Sequence, residues 1–404
     1  MSNRDQNSIC NKYAHNSVSQ FQNSAFKIFD ILARGQIVAQ SISIVAKLRI
    51  PDNLRDGPKS VGEMAVSAKV NPDALYRMLR MLASVGIFRE IVSSREEKKQ
   101  NEYSKARRFQ LTPTACLLCS QTENSVRDFA LLSGLDSLNK ATINLLHTIK
   151  TGKNSFKYAN GLEMFDYFQR KKNRTDAEIF DNAMTSLNLS YKSSLVRLYD
   201  FSQFKTILDI GGGQGLFLSH ILKENPNQHG ILFDLPKVIQ RAKENYWASN
   251  KKRIYGKSHH HSLNSRCKLI GGDFFKDIPY GADGYIIKNV LLNWDDESVT
   301  VLLRNCLRTM KRSSSTVHGR SNLKRPSPKL VIIETIMPEG NAPFLGKFTD
   351  ILMLVLTRGG RLRTEIQLTE LLKSCGFNIL NVLRPPDKVS FLSVIEAVPR
   401  TRRS

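Results

Sequence analysis

From Ala25 the chain carries apolar residues at three- and four-residue spacing through "AFKIFDILARGQIVAQSISIVAKLRIPDNL", the pattern of an amphipathic helix. Residues 1–24 are polar, show no such period and read as a disordered arm. In "KSVGEMAVSAKVNPDALYRMLRMLASVGIFRE" the helix-start signals are Ser60 and Asn71-Pro72, so two short helices joined by a turn are predicted. "GIFREI" and "RRFQLTPTA" read as strands bracketing the charged stretch "SSREEKKQNEYSKA". A helix-turn-helix followed by a β-wing predicts a mostly helical winged-helix module over residues 25–112. Helical spacing resumes from 113 to about 200, a region read as a linker and substrate lid, with aromatic clusters such as "MFDYFQ".

After Thr206 the pattern changes. "TILDI", "GILFD", "CKLIGG", "GYIIKNV" and "KLVIIET" are apolar runs of strand length separated by helical segments. That alternation predicts an open, mostly parallel α/β sheet across residues 201–398. "FNILNVL" and "VSFLSVIEAV" are separated only by a short loop, so the last strand is expected to run antiparallel. Sheets of this kind bind ligands outside the carboxyl ends of their strands.

Composition changes the picture in one respect. The 404 residues carry a formal charge of +24. Residues 251–268 and 311–329 each hold six Lys/Arg and no acid, and the tail 399–404 adds three arginines. All three segments read as loop or tail; solvated insertions are favoured over contact with a polyanion or a membrane surface. A winged helix on a basic chain also raises a DNA-binding regulator. The segment in the recognition position, "NPDALYRMLRMLASVG", has few basic residues and a wide apolar face, which suits dimer packing better than a major groove. Six scattered cysteines form no disulfide framework in a chain of this size. The amino terminus lacks the apolar core of a secretory signal, and no uninterrupted apolar run has the length of a membrane span; a cytoplasmic protein is expected. Cys116 and Cys119 read as helix packing, and His259–His261 as incidental to their loop, so no metal site is expected.

"ILDIGGGQGLF" places glycines at 211, 212, 213 and 215. A dinucleotide fingerprint would need glycine at 216, where Leu stands. Bare backbone at Gly211, Gly213 and Gly215 suits close approach of an amino-acid-like or nucleoside-like ligand, and Asp209 can orient the loop and accept from an ammonium group. The next strand ends at Asp234, suited to ribose hydroxyls. The third ends "GGDFF", where Asp273 can bond an exocyclic amine and Phe274 cover an adenine. The fourth ends at Lys288, which can meet a carboxylate. These groups in order describe S-adenosylmethionine.

"LDIGGGQG", "FDLPKVI", "GGDFF", "NWDDE", "PDALYRMLRMLASVGIF" and "GGRLRTEIQLTELLKSCGF" resemble, in family order, the small-molecule O-methyltransferases typified by the caffeic acid and acetylserotonin enzymes. The resemblance spans residues 25 to 398. It implies a Rossmann-like class I methyltransferase domain, an amino-terminal dimerisation domain, a homodimer, and a small hydroxylated acceptor. In that family a histidine takes the proton of the acceptor hydroxyl; here Leu292 stands in its place, followed by Asn293. One of the acids that orient that histidine matches Glu334, and the other matches Leu362. The region "VLLNW" resembles anthracycline-tailoring relatives, including carminomycin 4-O-methyltransferase, whose reaction relies on positioning, and a 10-hydroxylase that keeps the fold. The resemblance places Met184, Trp294 and Asp350 near the acceptor, against plain packing for the first two and a surface acid for the third. The expectation is methyl transfer by proximity, with Asn293 or a water holding the hydroxyl. The alternatives are a hydroxylase-like relative, a pseudoenzyme, or the DNA-binding regulator.

Overall fold

The computed structural model describes residues 18–91, 107–122, 124–245, 247, 263, 265–315, 327–385 and 392–400. It divides into two compact units, between Ser120 and Gln121.

The first unit opens with helix α1 (Val18–Lys47). Helix α2 (Val61–Ala68) begins at a capping box: the Ser60 side chain accepts from Glu63 N, and Glu63 accepts from Ser60 N. Helix α3 (Pro72–Ser84) is capped by Asn71, whose side chain accepts from Ala74 N at 3.0 Å, with Pro72 at its first position. Both starts fall where the cap signals put them. Strands β1 (Lys59–Ser60), β2 (Phe88–Ile91) and β3 (Arg108–Leu111) form an antiparallel sheet in the order β1-β3-β2. The two-residue β1 was not expected, being too short to show alternation. The stretch expected as a wing, 93–106, lies outside the described residues. Met64, Leu79, Leu82, Phe88 and Phe109 form the buried centre.

Helix α1 is different: Phe26, Ile28, Phe29, Ile31, Leu32 and Ile37 are 59–71% exposed. Its segment Ala25–Lys47, mean hydropathy 1.3, is by length and composition long and apolar enough to cross a membrane. As the sequence indicates, no uninterrupted apolar run is present, since Lys27, Asp30 and Arg34 break it; they do not make the helix polar on average.

In the second unit, short helices lead to the long helix α4 (Arg174–Leu198). Then come strands β4 (Thr206–Ile210), β5 (His229–Asp234), β6 (Cys267–Gly271), β7 (Gly284–Lys288), β8 (Lys329–Thr335), β9 (Phe377–Leu383) and β10 (Leu392–Pro399). Between them lie α5 (Leu216–Glu224), α6 (Pro236–Asn245), α7 (Asp296–Ser315), α8 (Leu345–Leu356) and α9 (Glu365–Ser374). The sheet order is β6-β5-β4-β7-β8-β10-β9. The pairs from β6 through β8 are parallel, and β10 is antiparallel to both its neighbours. The fold is therefore mixed α/β as expected, with the final strand reversed. Alternate residues bury on opposite faces: Leu208, Ile210, Tyr285, Ile287 and Ile332 pack with Leu302, Leu303, Leu368 and Leu372. Ile207, Leu232, Ile286, Val331 and Ile333 pack with Leu218, Ile221 and Leu222. β4 pairs with β5 on one side and β7 on the other, so the chain changes winding direction there and leaves a crevice at the carboxyl ends of the strands.

Among the buried acids of the sheet, Glu396 on β10 is held by three partners. Glu396, 4% exposed, accepts from Tyr199 Oη at 2.8 Å and Asn381 Nδ2 at 2.7 Å, and pairs with Lys329 Nζ at 2.7 Å. Glu396→Ala removes the anion beside that cation, which keeps Gln203 Oε1 at 2.6 Å, and the carboxylate acceptor of the Tyr199 hydroxyl. The expected loss is about 3 kcal/mol of unfolding free energy, read from urea titration; a loss under about 1 kcal/mol would mean that water replaces the carboxylate.

Candidate functional site

Strand β4 delivers Asp209 and then a loop in which Gly211, Gly213 and Gly215 have φ of +71°, +62° and +79°, the region that favours glycine. Gly211 N donates to Phe233 O at 2.8 Å, tying the loop to the end of β5. A Cβ on Gly212 would lie 2.5 Å from Leu232 Cδ1 and 2.6 Å from Asp209 Oδ2, whereas one on Gly213 would meet nothing within 4 Å. The loop thus packs on its own domain through Gly212 and is bare on its Gly213 side. Asp234, at the end of β5, accepts from Gly213 N at 2.9 Å and from Leu235 N at 2.7 Å. Each carboxylate oxygen keeps a second lone pair for another donor. Gln214, buried in the same loop, donates to Asn182 Oδ1 on α4 at 3.1 Å, and its carbonyl accepts from Trp247 Nε1 at 2.9 Å.

Asp209 is 2% exposed, and its Oδ1 has no hydrogen-bond partner. Burial pushes its carboxyl up to about 7; Lys288 pulls it down and Asp234 pushes it further up. Burial likewise lifts Asp234 to about 6 against the two amide donors. Lys288 ends β7; burial draws its ammonium down to about 8, opposed by the charges of Asp209 and Glu334. Glu334, 4% exposed, is lifted by burial to about 7 despite the amides of Leu291 and Leu292 and the charge of Arg363. The orphaned acceptor at Asp209, the bare face at Gly213 and the lone pairs of Asp234 fit a ligand bearing an ammonium group and ribose hydroxyls. Asp273, after β6, forms a turn with Phe275 N at 2.9 Å. Phe274 packs edge-on against Phe275 and Trp294.

The second half of the site is the loop after β7. Asn289, with φ +53°, turns the chain, and a 3₁₀ turn, Leu291–Asn293, follows. Glu334 Oε1 accepts from Leu291 N at 2.7 Å and Leu292 N at 3.4 Å. Expected to support a base, it therefore holds the backbone that carries Leu292. Leu292 is 9% exposed and Leu362 5%. Asn293 Nδ2 donates to Asn289 O at 3.1 Å, so its amide group steadies the turn. Asp350 Oδ1 accepts from Leu362 N at 2.7 Å, a backbone anchor on α8. Trp294 stacks on Phe165 at 5.6 Å and meets Phe275 edge-on at 4.7 Å. Met184 packs beside Leu132, Leu135 and Ala183.

The residue that sequence reasoning missed is Arg363, 3% exposed. It donates to Leu291 O at 3.0 Å, Trp294 O at 2.7 Å and Asp296 Oδ1 at 2.7 Å. The motif "GGRLRT" contained it, but attention fell on its neighbour Leu362. Of the expected basic stretch 251–268, residues 251–262 and 264 lie outside the described residues, His259–His261 included, as does the middle of 311–329. Among the described residues no group of His, Cys, Asp or Glu is arranged to hold a metal.

A seven-stranded sheet of this order, with a glycine loop after β4 and an acid ending β5, defines a class I S-adenosylmethionine-dependent methyltransferase. Residues 143–378 match the O-methyltransferase domain family, and residues 31–121 match the O-methyltransferase dimerisation domain. The chain is 35% identical to the phenazine O-methyltransferase of Lysobacter antibioticus, over 90% of this chain and 94% of that protein. It is 30% identical to a mitomycin biosynthesis 6-O-methyltransferase of Streptomyces lavendulae, over 87% and 88%. The crystal structure of LaPhzM matches with a TM-score of 0.77 at 34% identity, covering 93% of this chain and 99% of that one. The chain belongs to the O-methyltransferase family and is an S-adenosylmethionine-dependent O-methyltransferase of the secondary-metabolite type.

The charges set a pH dependence. Folded Asp209 and Glu334 keep their protons to about pH 7, whereas their ordinary values are 3.8 and 4.5. The folded state therefore binds more protons across that window, and these groups make the ligand-free protein less stable as pH rises through it. Lys288 works in the opposite sense between about 8 and 10.5. Asp209→Asn removes the first contribution, so its urea midpoint should gain on the wild type from about pH 5 to about pH 7.5. A constant difference across that range would contradict the assignment.

Proposed function

We propose that this enzyme methylates a hydroxyl of a small aromatic or polyketide-type metabolite, and that it does so by positioning, without a protein base at Leu292. The observation that carries the reading is Leu292 itself, an alkyl side chain centred on a loop whose amides Glu334 holds and whose carbonyls Arg363 holds. An acceptor there must supply its own nucleophile, which suits an acidic phenol that ionises near neutrality. Trp294 and Phe165 offer stacked aromatic surface for a flat ring, and Met184 on α4 borders the same aromatic cluster through Phe180.

When bound, S-adenosylmethionine supplies a methyl sulfonium, an electrophile that needs only an aligned oxygen. The residues suited to hold it are Asp209 and Lys288 at its amino-acid end, Gly211, Gly213 and Gly215 along its length, Asp234 at the ribose, and Asp273 with Phe274 at the adenine. Asn293 keeps the Leu291–Asn293 turn in register rather than acting on a proton. Holding both partners in line is worth about 7–11 kcal/mol, more than the roughly 10²–10⁴-fold of a general base.

A homodimer is part of the proposal. The dimerisation-family match covers 31–121. The second unit also exposes apolar residues, among them Ile143 and Phe348, each at 72%. A second copy covering such faces accounts for α1 without a bilayer. Five described cysteines are free thiols, which suits a reducing cytoplasm.

Calorimetric titration with S-adenosylhomocysteine should show saturable binding, and Asp234→Ala should weaken it at least about tenfold through loss of a charge-assisted bond. Unaltered affinity in the variant would place the cofactor elsewhere. Leu292→His should raise turnover of weakly acidic phenols, by up to about 10²-fold, and leave strongly acidic ones unchanged. No gain with any accepted phenol would show that a missing base does not limit the reaction.

A further inference from the structure

The loop from Val290 to Asp296 is gripped from two sides by opposite buried charges. Glu334 takes the amides of Leu291 and Leu292. Arg363 takes the carbonyls of Leu291 and Trp294 and the side chain of Asp296. A buried guanidinium costs several kcal/mol unless its donors are matched, and its planar fork bridges acceptors that a lysine cannot span together.

The segment carrying Arg363 is itself moulded to the loop. A Cβ on Gly360 would lie 2.6 Å from Leu292 O and 2.9 Å from Asn293 C, and one on Gly359 2.8 Å from Asp295 Cβ. Asp350 pins Leu362 N at 2.7 Å, and Met337 N donates to Arg363 O at 2.9 Å. The guanidinium is thus fixed to α8 and to the chain leaving β8 before it reaches the loop.

We propose that Arg363 is a positioning residue: it sets where Leu292 and Trp294 stand against the acceptor, and so governs the transfer step while leaving cofactor binding intact. The catalytic half of this proposal rests on the methyl-transfer reading above; the structural half does not. Three donors of one side chain hold the loop on its carbonyl side, whereas Asp209, Gly213 and Asp234 lie on β4, its loop and β5 and make no bond to it; of the other residues assigned to the cofactor, Phe274 meets Trp294 edge-on.

The chain has two tryptophans, and each reports one half of the site. Trp294 lies on the clamped loop, and Trp247 donates to Gln214 O beside the glycine loop. In 5-fluorotryptophan-labelled protein the two fluorine resonances can be followed separately. Arg363→Met should shift or broaden the Trp294 resonance and leave that of Trp247 in place. Affinity for S-adenosylhomocysteine should stay within about twofold, while kcat for a phenol accepted by the wild type falls about 30-fold or more at unchanged KM for S-adenosylmethionine, the scale of a misplaced reactant. Arg363→Lys, which keeps the charge and part of the bonding, should fall between; it carries the same test if the methionine variant does not fold. An unmoved Trp294 resonance overturns the proposal. So does loss of cofactor affinity together with movement of Trp247, or an unchanged kcat with Trp294 displaced. If the wild type turns over no phenol, the methyl-transfer reading fails, and the fluorine resonances still decide whether Arg363 holds the loop.

Discussion

Three charged groups that water would ordinarily solvate stand together where the sheet changes winding direction: Asp209, Lys288 and Glu334, at the ends of β4, β7 and β8. Burial raises both carboxyls to about 7 and lowers the ammonium to about 8, against neighbours that favour the charged forms: Lys288 for Asp209, Asp209 and Glu334 for Lys288, and the Leu291 and Leu292 amides with Arg363 for Glu334. Parallel pairing fixes them: Asp209 pairs across from Ile286, and Lys288 from Ile333, one residue before Glu334. A sheet with another strand order would not bring these ends together. Asp209 Oδ1 has no hydrogen-bond partner, the acceptor that the proposed reading gives to the ligand's ammonium group.

On the acceptor side the same economy holds with backbone in place of ligand. Glu334 faces Lys288 with its charge and the loop with its oxygen, so in the proposed reading one carboxylate links the cofactor half of the site to the acceptor half. The resemblance implies a base-supporting acid at Glu334; here that carboxylate holds the main chain. With alkyl groups at Leu292 and Leu362, the transfer we propose rests on geometry, the larger contribution.

Much of this was legible in the sequence, for reasons that differ by residue. Ser60 and Asn71 announced helix starts because a side chain that caps a helix does so within three residues, a local event. The sheet was legible because buried strands must be apolar, and the glycine loop because positive φ demands glycine. Arg363 was not legible: its partners are Leu291, Trp294 and Asp296, about seventy residues away, and no local pattern marks a guanidinium that reads carbonyls. Strand β1 was too short to show a period. The apolar character of α1 hid behind three charges. Asp350 and Glu334 were picked out as site residues, but that both bond to backbone amides was visible only in three dimensions.

The account's central claim, transfer by positioning without a protein base, is tested most directly by the pH dependence of kcat/KM across a series of accepted phenols of graded acidity. The account predicts an inflection that moves with the phenol, since the acceptor's own ionisation supplies the nucleophile. A single inflection at the same pH for every phenol would mean that a group of the enzyme takes the proton, and would contradict it.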